Sequence, residues 1–171
     1  MVEAILSEEE RKLRETAGRV LPGGTFGNEG SGIVIRRGEG GRVWDVSGNE
    51  YVDYLLGSGP MLIGHCHSEV LTAVEEQIPK GSTFFANNEQ GILLADDVVD
   101  AIPCADKVRF VSSGSEATFY AMRAARAFRK RDKILKFEGG FHGMNDYALM
   151  SMAPKRPGNF PQAMPDSPGI P

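Results

Sequence analysis

The chain has few of the residues that build metal centres and disulfide frameworks. It contains two cysteines and three histidines in 171 residues, and Cys66 and Cys104 show no metal-binding or redox spacing. Their small and apolar neighbours favour reduced thiols in a cytosolic protein. His65 and His67 flank Cys66, but adjacent ligands cannot easily all face one zinc ion. The sequence therefore predicts no metal site.

Long apolar runs and an excess of positive charge are absent as well. No stretch approaches the ~20 apolar residues that a membrane-spanning helix needs, and the N-terminus lacks the pattern of a secretory signal. A net charge of -4 leaves no basic stripe for the phosphates of a nucleic acid. We therefore expect a cytoplasmic protein that binds neither membranes nor nucleic acid, with a length sufficient for one domain or a small pair.

A turn of small residues connects a predicted strand to a predicted helix. Lys107–Ser112 reads as a strand, and apolar residues that recur every three or four positions up to Phe128 predict the helix. Between them, Ser113, Gly114 and Ser115 would gather backbone N–H groups, hydroxyls and the positive end of the helix dipole, which suits a phosphate. A serine N-cap without a ligand is the alternative. The turn matches neither a P-loop nor the dinucleotide-binding fingerprint.

A glycine-flanked aromatic follows the next predicted strand, Ile134–Phe137. The run EGGFHG begins directly after it and places Phe141 between glycine-rich segments. Two strands joined by a helix form a right-handed unit whose strand ends open on one edge of a parallel sheet. Phe141 could then lie flat on a ring that the first turn holds. A loop aromatic packed into the core is the alternative.

Together these motifs resemble the class III aminotransferases, which are fold-type I enzymes that use pyridoxal 5′-phosphate (PLP). LPGG, KGSTFF and FEGGFHG are similar to the glutamate-1-semialdehyde aminomutase-like branch. The resemblance implies that Ser113, Gly114 and Ser115 bind the PLP phosphate and that Phe141 stacks on the pyridine ring. It also implies that His142 shapes the same pocket wall, without an acid–base role.

The resemblance further implies an α/β fold, the N-terminal part of a fold-type I transferase. Residues 1–67 would form an N-terminal segment with a helix and antiparallel strands. Residues 68–171 would begin the PLP-binding large domain, with its first strand–helix units and an incomplete C-terminal end. The residue patterns predict these elements: a helix after Ser7, a meander of Ile33–Arg36, Arg42–Val46 and Tyr51–Leu55, helices from a Ser68 cap to Gln77 and over Glu89–Ala101, and a further helix at Met144–Met152.

Two carboxylates on the meander could suggest an acid pair. Asp45 and Asp53 lie close to predicted turns, where carboxylates commonly bond to the backbone. We interpret both as turn and surface residues, and we expect the sole tryptophan, Trp44, to pack in the core of the small sheet.

Two groups that PLP chemistry requires are missing from the sequence. These are the lysine that forms a Schiff base with the cofactor and the acid that keeps the pyridine nitrogen protonated. By the resemblance both lie beyond Pro171, and the lysines present occupy charged faces and element ends; Lys136 would be the first to test. We therefore expect the N-terminal portion of a longer, homodimeric enzyme, inactive by itself and without a catalytic residue of its own.

Three functions remain open. The first is transamination between an amine or amino acid and a keto acid or aldehyde. The second is an aminomutase reaction within one molecule, but the arginine that grips the substrate carboxylate in that branch is missing, since none occurs between Gly24 and Arg36. The third is a non-catalytic truncated homologue that serves as a binding or interaction module.

Overall fold

The computed structural model describes residues 5–27, 32–154, 156, 158–159 and 161–170. The chain forms two compact units, Met1–Ala86 and Asn87–Pro171, and each unit is described by itself. The domain boundary predicted between residues 67 and 68 stays a prediction. Among the helices of the described residues, none is long and apolar enough to cross a bilayer.

The first unit begins with helix α1, Glu8–Val20. The hydroxyl of Ser7 accepts a hydrogen bond from the backbone N–H of Glu10 at 3.2 Å, which makes Ser7 the predicted N-cap. Three glutamates in the first turn complement the positive end of the helix. A short 3-10 turn, Pro22–Gly24, follows the helix, and Gly23 adopts a φ of 67° there.

The three predicted strands form an antiparallel meander, as expected. They are β1, Ile35–Glu39; β2, Arg42–Asp45; and β3, Glu50–Val52, with β2 in the centre. A bulge interrupts the pairing near Ile35, and β3 ends three residues earlier than predicted. The carboxylate of Asp53 accepts the N–H groups of Leu55 and Leu56, so this backbone turns away instead of continuing the strand.

The interpretation of Asp45 as a surface carboxylate is wrong. Its exposed fraction is only 3%, because the two-residue period of β2 places it on the same face as the buried Val43. It accepts hydrogen bonds from the backbone and side-chain amides of Asn49 and from the Tyr51 hydroxyl. Burial raises the pKa of Asp45, but these hydrogen bonds outweigh burial and the pKa lies below its ordinary value.

Glu10 connects α1 to the meander and is fully buried. Its carboxylate accepts hydrogen bonds from the Ser47 hydroxyl, from the Arg14 guanidinium at 2.5 Å and from the N–H of Val34 at 3.4 Å. Burial raises the pKa of Glu10, whereas the bonds from Ser47, Arg14 and Val34 lower it, and the lowering prevails. The helix is therefore held on the sheet through a buried ionised group.

Asp53 is also more than a surface carboxylate, because it bonds to His65. The Oδ2 atom of Asp53 lies 2.8 Å from Nε2 of His65, and this bond is the main reason that the pKa of Asp53 is lowered. The backbone of His65 pairs with Gly40 in an isolated bridge. A Cβ atom on Gly38 would lie 2.6 Å from the His65 ring, so this packing requires glycine at position 38.

Trp44 is half-buried on β2. The guanidinium of Arg37 stacks on its indole ring at 3.5 Å from the ring centroid. The tryptophan thus packs partly against a cation on the neighbouring strand rather than within an apolar core.

The remaining helices have the extents that the sequence pattern predicts. They are α2, Ser68–Gln77; α3, Glu89–Ala101; and α4, Gly114–Arg129. The predicted cap of α2 is wrong, because His67 occupies the N-cap position without a side-chain hydrogen bond and Ser68 is the first helical residue.

Two predicted strands of the second unit are not strands in the structure. Residues 107–112 and 134–137 carry no strand assignment, and the one bridge within the described part of this unit joins Met150 to Pro165. A strand requires a neighbour that pairs with its backbone, and no described segment pairs with these two. The predicted helix at Met144–Met152 is wrong as well. Turns occupy residues 146–149, where the Asn145 carbonyl accepts two backbone bonds.

Candidate functional site

The start of α4 leaves several hydrogen-bond donors available. The hydroxyl of Ser113, the N-cap, accepts the N–H of Glu116 at 3.2 Å, and the Glu116 carboxylate accepts the N–H of Ser112 at 2.7 Å. The N–H groups of Ser113, Gly114 and Ser115 have no partner among the described residues. Within the described chain, three consecutive amide donors are thus free at the positive end of a 16-residue helix.

The surroundings of these donors fit a phosphate group. A Cβ atom on Gly114 would meet no atom of the described residues within 4 Å, so a ligand can approach the backbone there. The hydroxyl of Ser113 accepts one hydrogen bond and that of Ser115 accepts another, from the N–H of Met144, which leaves the hydrogen of each hydroxyl free to donate. Five donors therefore surround one end of the helix, and the nearby Glu116 carboxylate is already bonded to Ser112.

The glycine-rich motif after residue 137 meets this turn. Gly143 is buried, and a Cβ atom there would lie 2.8 Å from Cα of Ser115 and 2.9 Å from Oγ1 of Thr118. The next N–H, that of Met144, donates to Oγ of Ser115 at 3.0 Å. The two motifs singled out in the sequence therefore come together at Ser115, although residues 134–137 form no strand.

The other two predicted site residues flank this contact. Phe141 is 64% exposed and His142 is exposed. Within the described part of the unit, neither side chain forms a hydrogen bond or ring contact with Ser113, Gly114 or Ser115. The aromatic face of Phe141 is therefore available to a ligand, and its position depends on the backbone that carries it.

Two residues of this site escaped the sequence analysis, Glu116 and Thr118, and so did the contact that Gly143 of the EGGFHG motif makes with Ser115. The spacing of Ser113 and Glu116 is that of a capping box, and this signal could have identified Glu116 from the sequence. Thr118 donates from its hydroxyl to the carbonyls of Gly114 and Ser115. These residues lie four and three positions before Thr118, a spacing that a helix brings into contact. The approach of Gly143 to Ser115 depends on tertiary structure, and no local pattern indicates it.

Comparisons with known proteins agree on one family. Residues 26–171 match the family profile of class-III aminotransferases. The glutamate-1-semialdehyde 2,1-aminomutase of Methanothermobacter thermautotrophicus is 42% identical over 94% of this chain and 38% of its own length. An omega-transaminase from Sphaerobacter thermophilus has a TM-score of 0.88 at 34% identity, over 95% of this chain and 39% of its own.

A further solved structure bears on the cofactor. It is a transaminase with PLP bound, with a TM-score of 0.88 at 31% identity, over 98% of this chain and 40% of its own. The chain thus spans about two fifths of the proteins that it matches, and the α/β class of a fold-type I transferase is confirmed. The chain belongs to the class-III aminotransferase family, whose cofactor is pyridoxal 5′-phosphate.

Proposed function

We propose that this chain supplies the phosphate-binding side of the PLP site in an enzyme that transfers amino groups. The observation that supports this most directly is the set of donors at the start of α4, three N–H groups without a partner among the described residues and two hydroxyls. The chain spans 38% of a curated relative, and in this proposal the complete reaction also uses residues from outside it.

Each residue of the site has a defined task in this proposal. The N–H groups of Ser113, Gly114 and Ser115 bind the phosphate dianion, whose charge the helix dipole also favours. Phe141 stacks on the ring and His142 forms part of the pocket wall. When bound, the cofactor supplies an electron sink that stabilises negative charge on the substrate carbon next to nitrogen.

In this proposal Lys136 is not the lysine that carries the cofactor. Lys136, the first candidate by position, donates from its ammonium group to the carbonyl of Met150. The lysine that carries the cofactor and the acid for its ring nitrogen would therefore come from further polypeptide. Homodimer formation and a cytoplasmic location are part of the same proposal.

The arginines of the first unit favour transamination over an aminomutase reaction. Arg14 is bonded to the buried Glu10, and Arg36 pairs with Glu9 at 2.5 Å. The sequence has no arginine between Gly24 and Arg36, although residues 28–31 of this loop lie outside the described residues. The identity of 42% to an aminomutase is the observation in favour of that second reaction.

A cofactor titration tests the proposal. Two polypeptides are compared by absorbance with increasing PLP, the 171-residue chain and the product of the same gene read to its stop codon. We expect only the longer product to show a visible band that borohydride abolishes, with amino-group transfer from an amine to a carbonyl compound. A borohydride-stable attachment at a lysine of the short chain would contradict the assignment of the lysine.

Two other outcomes identify the alternatives. An amino-group shift within one substrate that needs no separate carbonyl acceptor would favour the aminomutase reaction. Failure of both polypeptides to bind PLP would contradict the enzyme proposal and favour a non-catalytic binding module.

A further inference from the structure

We infer that Gly143 is a positioning residue that couples the phosphate-binding turn to the segment carrying Phe141, so that the phosphate and the ring of the cofactor bind cooperatively. This inference rests on the proposed function of the site. It assigns a role to a contact between two backbone segments, neither of which supplies a reacting group.

The packing of Gly143 leaves no room for a side chain. A Cβ atom would lie 2.8 Å from Cα of Ser115, 2.9 Å from Oγ1 of Thr118 and 3.1 Å from Oγ of Ser115. The nearest of these atoms belongs to the backbone of α4, which cannot move aside as the end of a flexible side chain can. The φ of +99° at Gly143 adds backbone strain for any other residue.

The neighbouring hydrogen bond connects the same segment to the proposed phosphate ligand. Met144 donates its N–H to Oγ of Ser115 at 3.0 Å. By accepting this bond, the Ser115 hydroxyl keeps its own hydrogen for another acceptor, such as a phosphate oxygen. The Ser115 hydroxyl can thereby bond to a phosphate oxygen and to the glycine-rich segment at the same time. Hydrogen bonds in such a chain strengthen one another.

The helix side of this contact is itself fixed. Oγ1 of Thr118 donates to the carbonyls of Gly114 and Ser115, both at 3.1 Å. Thr118 therefore cannot turn away from Gly143 without losing these bonds. Phe141 lies two residues before Gly143 and has most of its surface exposed, so the position of its ring depends on how closely Gly143 approaches the helix.

Gly139 offers a matched control within the same motif. It also has a positive φ, of +76°, but a Cβ atom there would meet no atom within 4 Å in the part of the chain that the structure describes. Gly139→Ala therefore introduces backbone strain alone, whereas Gly143→Ala introduces backbone strain and a collision with Ser115.

The experiment uses the product of the gene read to its stop codon. Dissociation constants for PLP and for pyridoxal, which lacks the phosphate, are measured by fluorescence titration in wild-type, Gly143→Ala and Gly139→Ala proteins, each with and without Phe141→Leu. We expect Phe141→Leu to weaken PLP binding about fivefold, from a lost stacking contact, in the wild-type and Gly139→Ala proteins. In the Gly143→Ala protein, Phe141→Leu should weaken PLP binding less than about twofold, because the Phe141 ring is already displaced there.

Equal effects of Phe141→Leu in all three proteins would overturn the inference while leaving the proposed function intact. If the wild-type protein binds pyridoxal as tightly as PLP, the phosphate turn is not used, and both the inference and the proposed function are wrong.

A second measurement avoids any substitution of glycine, in case Gly143→Ala prevents folding. The effects of Ser115→Ala and Phe141→Leu on PLP affinity are measured singly and together. We expect the two losses to be non-additive, with a coupling of about threefold or more. Independent effects, whose factors multiply, would overturn the inference.

Discussion

At the scale of single residues, the first unit is stabilised by carboxylates that are buried instead of lying at the surface. Glu10 is buried with bonds from Ser47, Arg14 and Val34, and these bonds hold its pKa below the ordinary value of 4.5. A group with a lowered pKa in the folded state stabilises the fold above its unfolded pKa. That contribution is lost as the pH falls below 4.5 and through the folded pKa.

The first prediction concerns Glu10→Gln. At pH 7 we expect it to weaken the attachment of α1 by about 1.5–3 kcal/mol, because charged hydrogen bonds are replaced by weaker neutral ones. The difference from the wild type should shrink as the pH falls below 4.5, since the wild-type carboxylate then becomes neutral too. Hydrogen exchange of α1 amides, compared between variants at the same pH, measures this.

Glu9→Gln serves as the control for Glu10→Gln. Glu9 lies one residue earlier on the same helix and pairs with Arg36, but its side chain is 61% exposed. An exposed pair contributes little, so Glu9→Gln should leave the exchange of α1 almost unchanged. Equal effects of the two substitutions, or a Glu10→Gln effect that persists unchanged at low pH, would contradict the buried-carboxylate account.

The residues that could be identified from the sequence have partners close to them along the chain, whereas the residues that were missed have partners further along the chain. Ser7 and Ser113 could be predicted as N-caps because each bonds to an N–H three residues ahead. Asp53 could not be assigned correctly, because its partner His65 approaches from beyond the end of β3. The turn at Ser113, where we propose that a phosphate binds, belongs to the first kind, and the contact of Gly143 with Ser115 belongs to the second.

At the scale of elements, four helices and the meander could be predicted from the sequence, whereas two predicted strands of the second unit were wrong. The extents of α3 and α4 follow from apolar periodicity and caps, all contained in consecutive residues. The meander could be predicted because its three strands are sequence neighbours that pair with one another. Residues 107–112 and 134–137 have the composition of strands but no partner in the described chain, and composition alone does not show this.

The second prediction compares the caps of α3 and α4. Asn88 and Ser113 each accept an N–H three residues ahead, at 2.8 and 3.2 Å, and each cap contributes about 1 kcal/mol. Asn88→Ala and Ser113→Ala should therefore lower the stability of the gene product, read to its stop codon, by similar amounts. Only Ser113→Ala should also weaken PLP binding, because only α4 begins at the proposed phosphate site.

Thermal unfolding and PLP titration of both cap variants test this second prediction. An unchanged PLP affinity in the Ser113→Ala protein would show that Ser113 only caps the helix. A loss of affinity in the Asn88→Ala protein of the same size would show that the effect follows stability and not the site.

At the scale of the whole molecule, the helices present apolar side chains that the described chain covers only in part. On α2, Val70, Leu71 and Val74 are between 44% and 48% exposed, and on α3 Ile92 and Leu93 are more than half exposed. The described hydrophobic residues that are buried are Val43 and Ala148. Their spacing gathers them on one face of each helix, so these faces are suited to burial against further polypeptide.

The last prediction follows from this exposure. The chain spans about two fifths of its relatives, and the remaining part of such a protein would cover these faces. The isolated 171-residue chain should therefore associate and bind a hydrophobic dye strongly, whereas the gene product read to its stop codon should bind it weakly. Light scattering after gel filtration and dye fluorescence compare the two. A short chain that stays monodisperse and melts cooperatively would contradict this account, because its faces would then need no cover.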